Sequence, residues 1–236
     1  MKKICVVLPT YNERENIETI LGKIFINVVG ATVLVVDDNS PDGTGVAVEG
    51  LRKKYPNLFL LKRKGKEGLG KAYTEAFLHV LQKMDQEWVL MMDADLSHNP
   101  EHIPEMLKKT MSASVVVGSR YVDGGKTVGW ELWRRVLSRG GNIYARIVTG
   151  LPVRDLTGGF NLMHRDVLGK IDFSDFDASG YAFIMELKRK LHKAGAKFAE
   201  VPITFRNRTG GESKISSHII SEGVVAPWRI RFKGKC

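Results

Sequence analysis

The chain has 236 residues, of which 43% are hydrophobic, so it can build a packed core and is not an intrinsically disordered protein. Its only cysteines, Cys5 and Cys236, exclude a disulfide framework and favour a reducing compartment. The formal net charge of +10 requires an anionic partner, either nucleic acid, a membrane surface or a phosphorylated substrate.

Strand-like and helix-like segments alternate through the first half of the sequence. Short β-branched or apolar runs predict buried strands at 2–10, 32–38, 57–63, 87–95 and 113–120. Amphipathic periodicity predicts helices between them at 13–26, 43–54, 70–83 and 100–111. This alternation predicts an α/β fold in which helices cover both faces of a mostly parallel central sheet.

The pattern changes after residue 118. The segments that follow are a glycine-rich loop (119–129), a basic helical stretch (131–147), the motif DLTGGFNLMHRDV (155–167), a helix (179–194), a strand (197–205) and a polar loop (206–214). The sequence contains neither an internal repeat nor a clear interdomain linker. We therefore predict a single domain over residues 1–236.

Two aspartates close the predicted strand at 87–95, in the motif MDADLSHNP. Alternate side chains on a strand point the same way, so Asp93 and Asp95 can face one point while Ala94 keeps the approach open. Carboxylates outside the carboxyl end of a strand suit Mg²⁺ or Mn²⁺, with water and substrate phosphates completing the shell. The alternative is a turn cap at Asp93 and a solvated Asp95. His98 has no second nitrogen or sulfur donor nearby, so we predict a structural neighbour of the next helix and not a ligand.

A second acidic motif, VVDDNSPDGT, ends the strand at 32–38. Asp37 and Asp38 are adjacent and cannot both point into a site from a regular strand. We favour Asp38, whose acceptor oxygens suit the ribose hydroxyls or the base of a nucleotide. Asp42, just before Gly43, is predicted to be a helix N-cap or a turn residue. The first strand is followed by PTYNERE, so the glycine-rich dinucleotide fingerprint is missing there.

An ordered set of motifs resembles the polyprenol (dolichol) phosphate mannose synthases, which are inverting family-2 glycosyltransferases. The motifs are LPTYNERENI, VVDDNSPDGT, GKEGLGKAY, MDADLSHNP, GSRY, DLTGGF and RTGGESK, and they run in order from Ile4 to Lys214. The resemblance implies a GT-A fold, GDP-mannose as donor, Mg²⁺ or Mn²⁺ as cofactor, and a dolichyl or other polyprenyl phosphate as acceptor. It divides the domain into a nucleotide-sugar-binding half (1–118), an acceptor half (119–214) and a membrane-interface tail (215–236).

The reaction that the resemblance implies is transfer with inversion, giving dolichyl β-D-mannosyl phosphate for protein glycosylation or GPI-type pathways. The alternatives are a dolichyl-phosphate glucosyltransferase and another family-2 enzyme with a different donor or acceptor. The residues alone do not separate mannose from glucose.

The resemblance also carries roles onto individual residues. Those that would hold the nucleoside are Pro9, Tyr11, Glu13, Val36 and Asp38. Those that would contact the donor and the metal are Asp93, Ala94 and Asp95, with Asp95 the better metal ligand. Those that would lie near the donor phosphates are Arg120, Arg208 and Lys214. Without the resemblance, Pro9 would simply end a strand and Tyr11 would be a core residue. Arg208 and Lys214 would lie in a solvated loop.

The acceptor chemistry follows from charge. A phosphate monoester has a second pKa of about 6 and is largely an anionic nucleophile near neutrality, so we assign no general base. Asp155 is the carboxylate to test if a base is needed, and its alternative role is to orient a turn.

The stretch WELWRRVLSRGGN supplies the groups that would bind this acceptor, Arg134, Arg135, Ser138 and Arg139. If this stretch is a helix, two of these side chains lie one turn apart on the same face and can bind one phosphate together. We favour Arg134 and Ser138, with Arg120 completing the pocket. These three and Asp95 are the predicted catalytic residues. The alternative is that two of the arginines are ordinary surface charges.

Aromatic, aliphatic and basic residues are mixed around Trp130, Leu132, Trp133 and Val136 and in the tail VVAPWRIRFKGKC. Such mixtures are typical of segments that lie at a membrane surface. We therefore expect a peripheral protein on the cytosolic face of a membrane, either the endoplasmic reticulum of a eukaryote or the plasma membrane of a prokaryote. The alternative is an internal amphipathic helix and a basic tail.

The sequence shows no signal peptide and no apolar stretch long enough to span a bilayer. Many members of the resembling family continue into transmembrane helices. Three explanations for the missing transmembrane helices are therefore open: a small membrane-anchoring subunit, a short amphipathic end that binds the membrane, and a truncated chain.

Two other classes of protein compete with this interpretation. A Mg²⁺-dependent phosphohydrolase would usually place a nucleophilic aspartate after the first strand, where this chain has PTYN. A nucleic-acid binder would gather its basic residues with base-stacking aromatic residues, and no such motif is present. We therefore predict no nucleic-acid partner.

Overall fold

A computed structural model describes residues 2–176, 180–207 and 217–233. Its strands, in chain order, are β1 (Ile4–Thr10), β2 (Thr32–Asp37), β3 (Leu58–Lys62), β4 (Trp88–Met91), β5 (Val115–Ser119), β6 (Lys126–Val128), β7 (Asn161–His164), β8 (Phe198–Pro202) and β9 (Thr204–Arg206). Seven strands form one sheet in the order β3-β2-β1-β4-β7-β5-β8, and β6 pairs with β9 in a separate small sheet. The predicted mostly parallel central sheet is confirmed.

One strand of the central sheet runs against the others. β7 lies between β4 and β5 and is antiparallel to both, with Asn161 opposite Met91 on one side and Val117 on the other. This strand was not predicted, because it is only four residues long and such a short segment gives no strand periodicity. Its antiparallel direction has a consequence for function: the residues that precede β7 lie at the same edge of the sheet as the carboxyl ends of β4 and β5.

The α-helices of the described residues are α1 (Ile17–Asn27), α2 (Thr44–Leu51), α3 (Leu69–Lys83), α4 (Ile103–Lys109), α5 (Leu132–Thr149), α6 (Arg165–Leu168), α7 (Gly180–Lys193) and α8 (Ser217–Phe232). Alternate strand residues enter opposite layers, so that Val6 packs with α1 and α4 while Val7 packs with α3 and α7. Helices on both faces of the sheet are therefore confirmed.

Two predicted strands end differently in the structure. The strand predicted at 87–95 stops at Met91, so the expectation that Asp93 and Asp95 point the same way from a regular strand is wrong. The backbone turns there, and Leu96 has a positive φ of 63°. The strand predicted at 197–205 splits around Ile203 into β8 and β9, which belong to different sheets.

The segment predicted to be a membrane-interface tail contains α8, which packs against α5 and α7. Among the described residues, none of the helices combines the length and the apolar content needed to cross a bilayer.

Candidate active site

The carboxyl ends of β1 and β2 bring together the residues predicted to hold a nucleoside. Pro9 and Val36 are direct neighbours across the two strands. Tyr11 follows β1 and is 37% exposed, so it is not a core residue, and the Lys66 ammonium lies 4.2 Å from the centroid of its ring. Glu13 starts the turn into α1, where its side chain accepts a hydrogen bond from Asn16 at 2.9 Å.

The two adjacent aspartates at the end of β2 have different partners. Asp37 accepts hydrogen bonds from the hydroxyl groups of Thr10 at 2.9 Å and Ser40 at 2.6 Å, so it holds the loop together. Asp38 is buried and forms an ion pair with the buried guanidinium of Arg63. Asp37 is therefore committed to the loop, whereas Asp38 is paired with Arg63. Asp38 is held at the edge where Pro9 lies.

Arg63 and Glu75 complete this edge and were missed by the sequence analysis. The Arg63 Nε and Nη2 groups donate to the two carboxylate oxygens of Glu75 at 3.0 and 2.9 Å, and Nη1 contacts Asp38. Arg63 closes the strand predicted at 57–63, so its place at the same edge as Asp38 was a signal available in the sequence.

Asp42 takes the role predicted for it at the start of α2. Its carboxylate accepts hydrogen bonds from the main-chain N–H of Thr44 at 2.9 Å and of Arg14 at 3.0 Å. The contact with Arg14 ties the loop after β1 to the loop after β2.

Asp93 and Asp95 lie in the turn after β4. Asp95 is buried and accepts a hydrogen bond from the Ser97 N–H at 3.0 Å, whereas the Asp93 side chain is 29% exposed. Burial raises the pKa of the Tyr73 phenol well above its usual value, and the negative charges of Asp93 and then Asp95 raise it further. Both carboxylates therefore act on one buried phenol, although they do not share a strand.

The pair is suited to a divalent cation. Within residues 2–176, 180–207 and 217–233, no three acidic, histidine or cysteine side chains cluster closely enough to hold a metal by themselves. Mg²⁺ is commonly held by one or two carboxylates together with water and substrate phosphates. The oxygen donors of Asp93 and Asp95 fit that type of site.

His98 has a structural role, as the sequence analysis predicts. Its buried Nδ1 accepts a hydrogen bond from the Asp93 N–H at 3.1 Å, and its ring stacks on Phe160 with a centroid distance of 5.0 Å. An Nδ1 that accepts this bond carries no proton, so His98 shapes the turn beneath the carboxylates.

Arg120 and Asp155 form a buried ion pair. Asp155 accepts from Arg120 Nε and Nη2 at 2.7 Å each and from its main-chain N–H at 3.0 Å. Burial alone would raise the pKa of Asp155, but the charge and hydrogen bonds of Arg120 hold it below its usual value. A fully buried carboxylate with a lowered pKa is a poor general base. The structure thus supports its alternative role, orienting a turn.

The first glycine of the DLTGGF motif, Gly158, is required by the position of the Asp155 carboxylate. The Gly158 N–H donates to Asp155 Oδ1 at 2.9 Å. A Cβ atom at position 158 would lie only 3.0 Å from the same oxygen, so a side chain would crowd the carboxylate.

A cavity of about 340 Å³ opens beside the ion pair. Its polar lining includes Arg120, Arg134, Ser138, Asn142 and Thr157, and its apolar lining includes Leu137, Ala145, Ala182, Met185 and Val224. The structure therefore brings together the three side chains predicted to bind an acceptor phosphate. Arg208 and Lys214, predicted at the donor phosphates, lie outside the described residues.

Asn142 organises this cavity and was missed by the sequence analysis. It donates to the Ser138 carbonyl at 2.8 Å and accepts from the Leu156 N–H at 2.8 Å, so it links α5 to the turn that holds Arg120. Its spacing of four residues from Ser138 and eight from Arg134 places all three on one face of a helix, which the sequence could have shown.

The opposite side of α5 exposes a stripe of apolar side chains. Leu132, Val136, Ile143 and Ile147 are between 54% and 75% exposed, and the exposed Val225, Trp228 and Phe232 of α8 extend the surface. Arg139 and Arg146 are exposed along the flank. Trp130, predicted to lie at a membrane surface, is instead buried, and the Arg134 guanidinium carbon lies 4.3 Å from its ring centroid.

The chain matches a known protein family and has relatives that are 40% identical to it. The family model described as Glycosyl transferase family 2 matches residues 5–172. An undecaprenyl-phosphate mannosyltransferase from Micrococcus luteus is 40% identical over 94% of this chain and 91% of its own length. A polyprenol monophosphomannose synthase from Mycolicibacterium smegmatis is 40% identical over 98% of this chain and 88% of its own length.

The fold has solved counterparts of lower sequence identity. A mannosyltransferase from Pyrobaculum calidifontis in complex with GDP-mannose and Mn²⁺ has a TM-score of 0.61 at 20% identity, covering 89% of this chain and 58% of that chain. At 20% identity, this similarity shows a shared fold and nothing more.

The Arg120–Asp155 pair leads to a prediction about stability. Asp155→Asn leaves the buried Arg120 without its counter-charge, so we expect the free energy of unfolding at pH 7 to fall by about 3–5 kcal/mol. Because the pKa of Asp155 is lowered in the folded state, its contribution is present above the unfolded value of about 4 and is lost as the pH falls through the folded value. The variant should therefore lose less stability than the wild type in acid.

Urea unfolding at several pH values measures this effect, and Asp123→Asn is the control because that side chain is fully exposed. An Asp155→Asn protein that is as stable as the wild type but inactive would instead assign Asp155 a chemical role.

Proposed function

The chain belongs to the family 2 glycosyltransferases, and from this premise we propose that it transfers mannose from GDP-mannose to a polyprenyl phosphate with inversion. The observation that carries the proposal is the cavity in which Arg120, Arg134 and Ser138 meet beside an exposed apolar helix surface. Such a cavity suits the anionic headgroup of an apolar lipid. The names of the two 40% identical relatives support the same acceptor class and the same sugar.

The donor is proposed to bind along the edge formed by β1, β2 and β4. Asp38, held by Arg63, offers an acceptor to a base or ribose, and Tyr11 is accessible beside it. The mannosyltransferase of similar fold was solved with GDP-mannose and Mn²⁺, which supports this choice of nucleotide. The resemblance adds Arg208 and Lys214 near the diphosphate.

Asp93 and Asp95 are proposed to hold Mg²⁺ or Mn²⁺. When bound, the ion offsets the negative charge that develops on the departing diphosphate. The buried Asp95 is the better fixed of the two, because the Ser97 N–H orients its carboxylate. The Asp93 side chain is more exposed to solvent than that of Asp95 and is therefore accessible to a substrate.

The acceptor phosphate is proposed to react without a general base. One of its oxygens forms a bond to the anomeric carbon as the bond from that carbon to the diphosphate oxygen breaks. The phosphate is already ionised near neutrality, so no proton needs to leave. Arg134 and Arg120 offset the repulsion between two anions, and a single in-line displacement converts an α-linked donor into a β-linked product.

The membrane is proposed as the surface on which the protein works. The apolar stripe of α5, extended by α8 and flanked by Arg139 and Arg146, suits an anionic lipid surface. Both relatives are bacterial, which favours the plasma membrane over the endoplasmic reticulum. A small anchoring subunit has no support from these relatives and is not part of the proposal.

A transfer assay tests the function. GDP-mannose, GDP-glucose and UDP-glucose are each incubated with undecaprenyl phosphate or with undecaprenol, with Mn²⁺, with Mg²⁺ and with excess EDTA. We expect mannose transfer to the phosphate alone, none in EDTA or in the Asp95→Asn variant, and a β-linked anomeric signal by proton NMR. The rate should fall below roughly pH 6, where the acceptor phosphate takes up one proton and changes from a dianion to a monoanion.

Four outcomes of this assay contradict the proposal. An α-linked product or transfer to the free alcohol would require a different mechanism. Preference for a glucose donor would reassign the sugar, and full activity in EDTA would remove the metal.

The acceptor pocket predicts a selective effect at one arginine. Arg134→Ala removes a charge from the cavity wall, so we expect the KM for undecaprenyl phosphate to rise roughly tenfold or more while the KM for GDP-mannose stays within about twofold. Arg52→Ala is the control, because Arg52 follows α2, does not line the cavity and pairs with Glu49 at the surface. An equal rise in both constants would contradict the assignment.

The membrane surface predicts a loss of lipid binding. Val136→Asp places a carboxylate within the exposed apolar stripe, so we expect at least about tenfold weaker co-sedimentation with phosphatidylglycerol vesicles. Val46→Asp is the matched control, since Val46 is a similarly exposed valine on α2. Vesicle binding that is the same for both variants would place the membrane contact elsewhere.

A further inference from the structure

A lysine ammonium lies fully buried behind the acceptor cavity. Lys188 belongs to α7 and is 1% exposed. Its Nζ donates to the main-chain carbonyl of Asp155 at 2.7 Å and to that of Gly158 at 3.0 Å. Lysine is almost never fully buried unless it is paired, so the burial of Lys188 indicates a specific role. Neither the sequence motifs nor the transfer chemistry above makes use of it.

The two carbonyls belong to the turn that holds Arg120. Asp155 binds the Arg120 guanidinium through both carboxylate oxygens and also accepts the N–H of Gly158. Lys188 does not line the cavity itself, whereas Arg120 does. Asp155 contacts both cations, Arg120 through its carboxylate and Lys188 through its main-chain carbonyl, so a change at Lys188 reaches the cavity wall through the turn.

Lys188 also changes the charge behind the cavity. Asp155 offsets the charge of Arg120, so this pair alone presents little net charge to an anion. Arg134 and Glu222, which also line the cavity, carry opposite charges, and the buried ammonium adds one positive charge to this balance. Glu200 of β8 faces the same turn and accepts the N–H groups of Arg154 at 2.8 Å and Asp155 at 3.2 Å. It is partly exposed, so solvent screens its charge more strongly.

We propose that Lys188 is a positioning residue for the acceptor phosphate: its ammonium fixes the turn at 155–158 and supplies the positive charge that allows Arg120 to attract an anion. The inference rests on the proposed function, because it takes the ligand of the cavity to be a polyprenyl phosphate. Lys188 acts through Arg120 and does not touch the substrate.

The position makes acceptor binding sensitive to alkaline pH. Burial lowers the pKa of Lys188 to about 8, with Asp155 and Glu200 opposing the shift and Arg120 adding to it. A bound phosphate would favour the protonated lysine. The free enzyme therefore loses the ammonium as the pH rises through about 8, and its affinity for the acceptor should fall with it. The acceptor phosphate itself titrates near about pH 6, outside this window.

Two substitutions separate charge from packing. Lys188→Met retains an unbranched side chain without the charge, and Lys188→Gln retains a hydrogen-bond donor without the charge. Lys190→Met is the matched control, because Lys190 lies nearer to the surface of the same helix and pairs with Asp175 at 3.2 Å. KM values for undecaprenyl phosphate and GDP-mannose are measured from about pH 7 to about pH 9.5, with thermal unfolding of each variant.

We expect the wild-type acceptor KM to rise roughly tenfold across this range. In Lys188→Gln it should be about tenfold higher already at pH 7 and then stay flat, with the KM for GDP-mannose within about twofold throughout. The Lys190→Met protein should follow the wild type.

A folded Lys188→Gln protein with the wild-type acceptor KM and pH profile would overturn the proposal. A wild-type acceptor KM that does not change between about pH 7 and about pH 9.5 would overturn it as well. This measurement can be made even if neither variant folds. A donor KM that rises together with the acceptor KM would show a general structural role instead. A wild-type protein that transfers no sugar to polyprenyl phosphate would first remove the proposed function, and this inference with it.

Discussion

The buried ion pair between Arg120 and Asp155 is the interaction on which the rest of the site depends. It joins the residue that follows β5 to the turn that precedes β7, and both partners are nearly or fully inaccessible to solvent. Burying two charges is costly, and it is tolerated where geometry and additional hydrogen bonds are good. Here the main-chain N–H groups of Arg120 and Gly158 supply those bonds. The wall of the cavity, with Asn142 and Thr157, is built around the same turn.

The antiparallel strand β7 explains how two sets of residues reach one edge of the sheet. A chain that ran parallel through this position would have placed the DLTGGF turn at the opposite edge, away from Asp93 and Asp95. Because β7 runs against β4 and β5, the turn lies beside the carboxylates: a Cβ at Gly159 would lie 3.6 Å from His98 and 3.9 Å from Asp93. A donor at the carboxylates and an acceptor at the arginines would therefore be neighbours.

Helix α5 has two chemically different surfaces. Ser138 and Asn142 on one face line the cavity, while Val136 and Ile147 on another are exposed together with α8. Tyr144 links the two helices, since it donates to the Val224 carbonyl at 2.9 Å and accepts from Trp228 Nε1 at 2.8 Å. Under the proposed function, a lipid lying against the apolar surface would have its phosphate within reach of the cavity without leaving the membrane.

Local patterns in the sequence were sufficient for the alternating strands and helices, the covered parallel sheet, the two acidic strand ends and the helix that carries Arg134 and Ser138. These features depend on periodicity and on the rule that strands of a parallel sheet present their carboxyl ends together. The direction of β7, the burial of Trp130, the turn at Asp93, and the partners of Asp38, Asp155 and Lys188 depend on contacts between segments far apart in the chain. Asp155 and Lys188 are 33 residues apart and share no periodic pattern, so only packing α7 against the turn could decide that an ammonium lies behind the cavity.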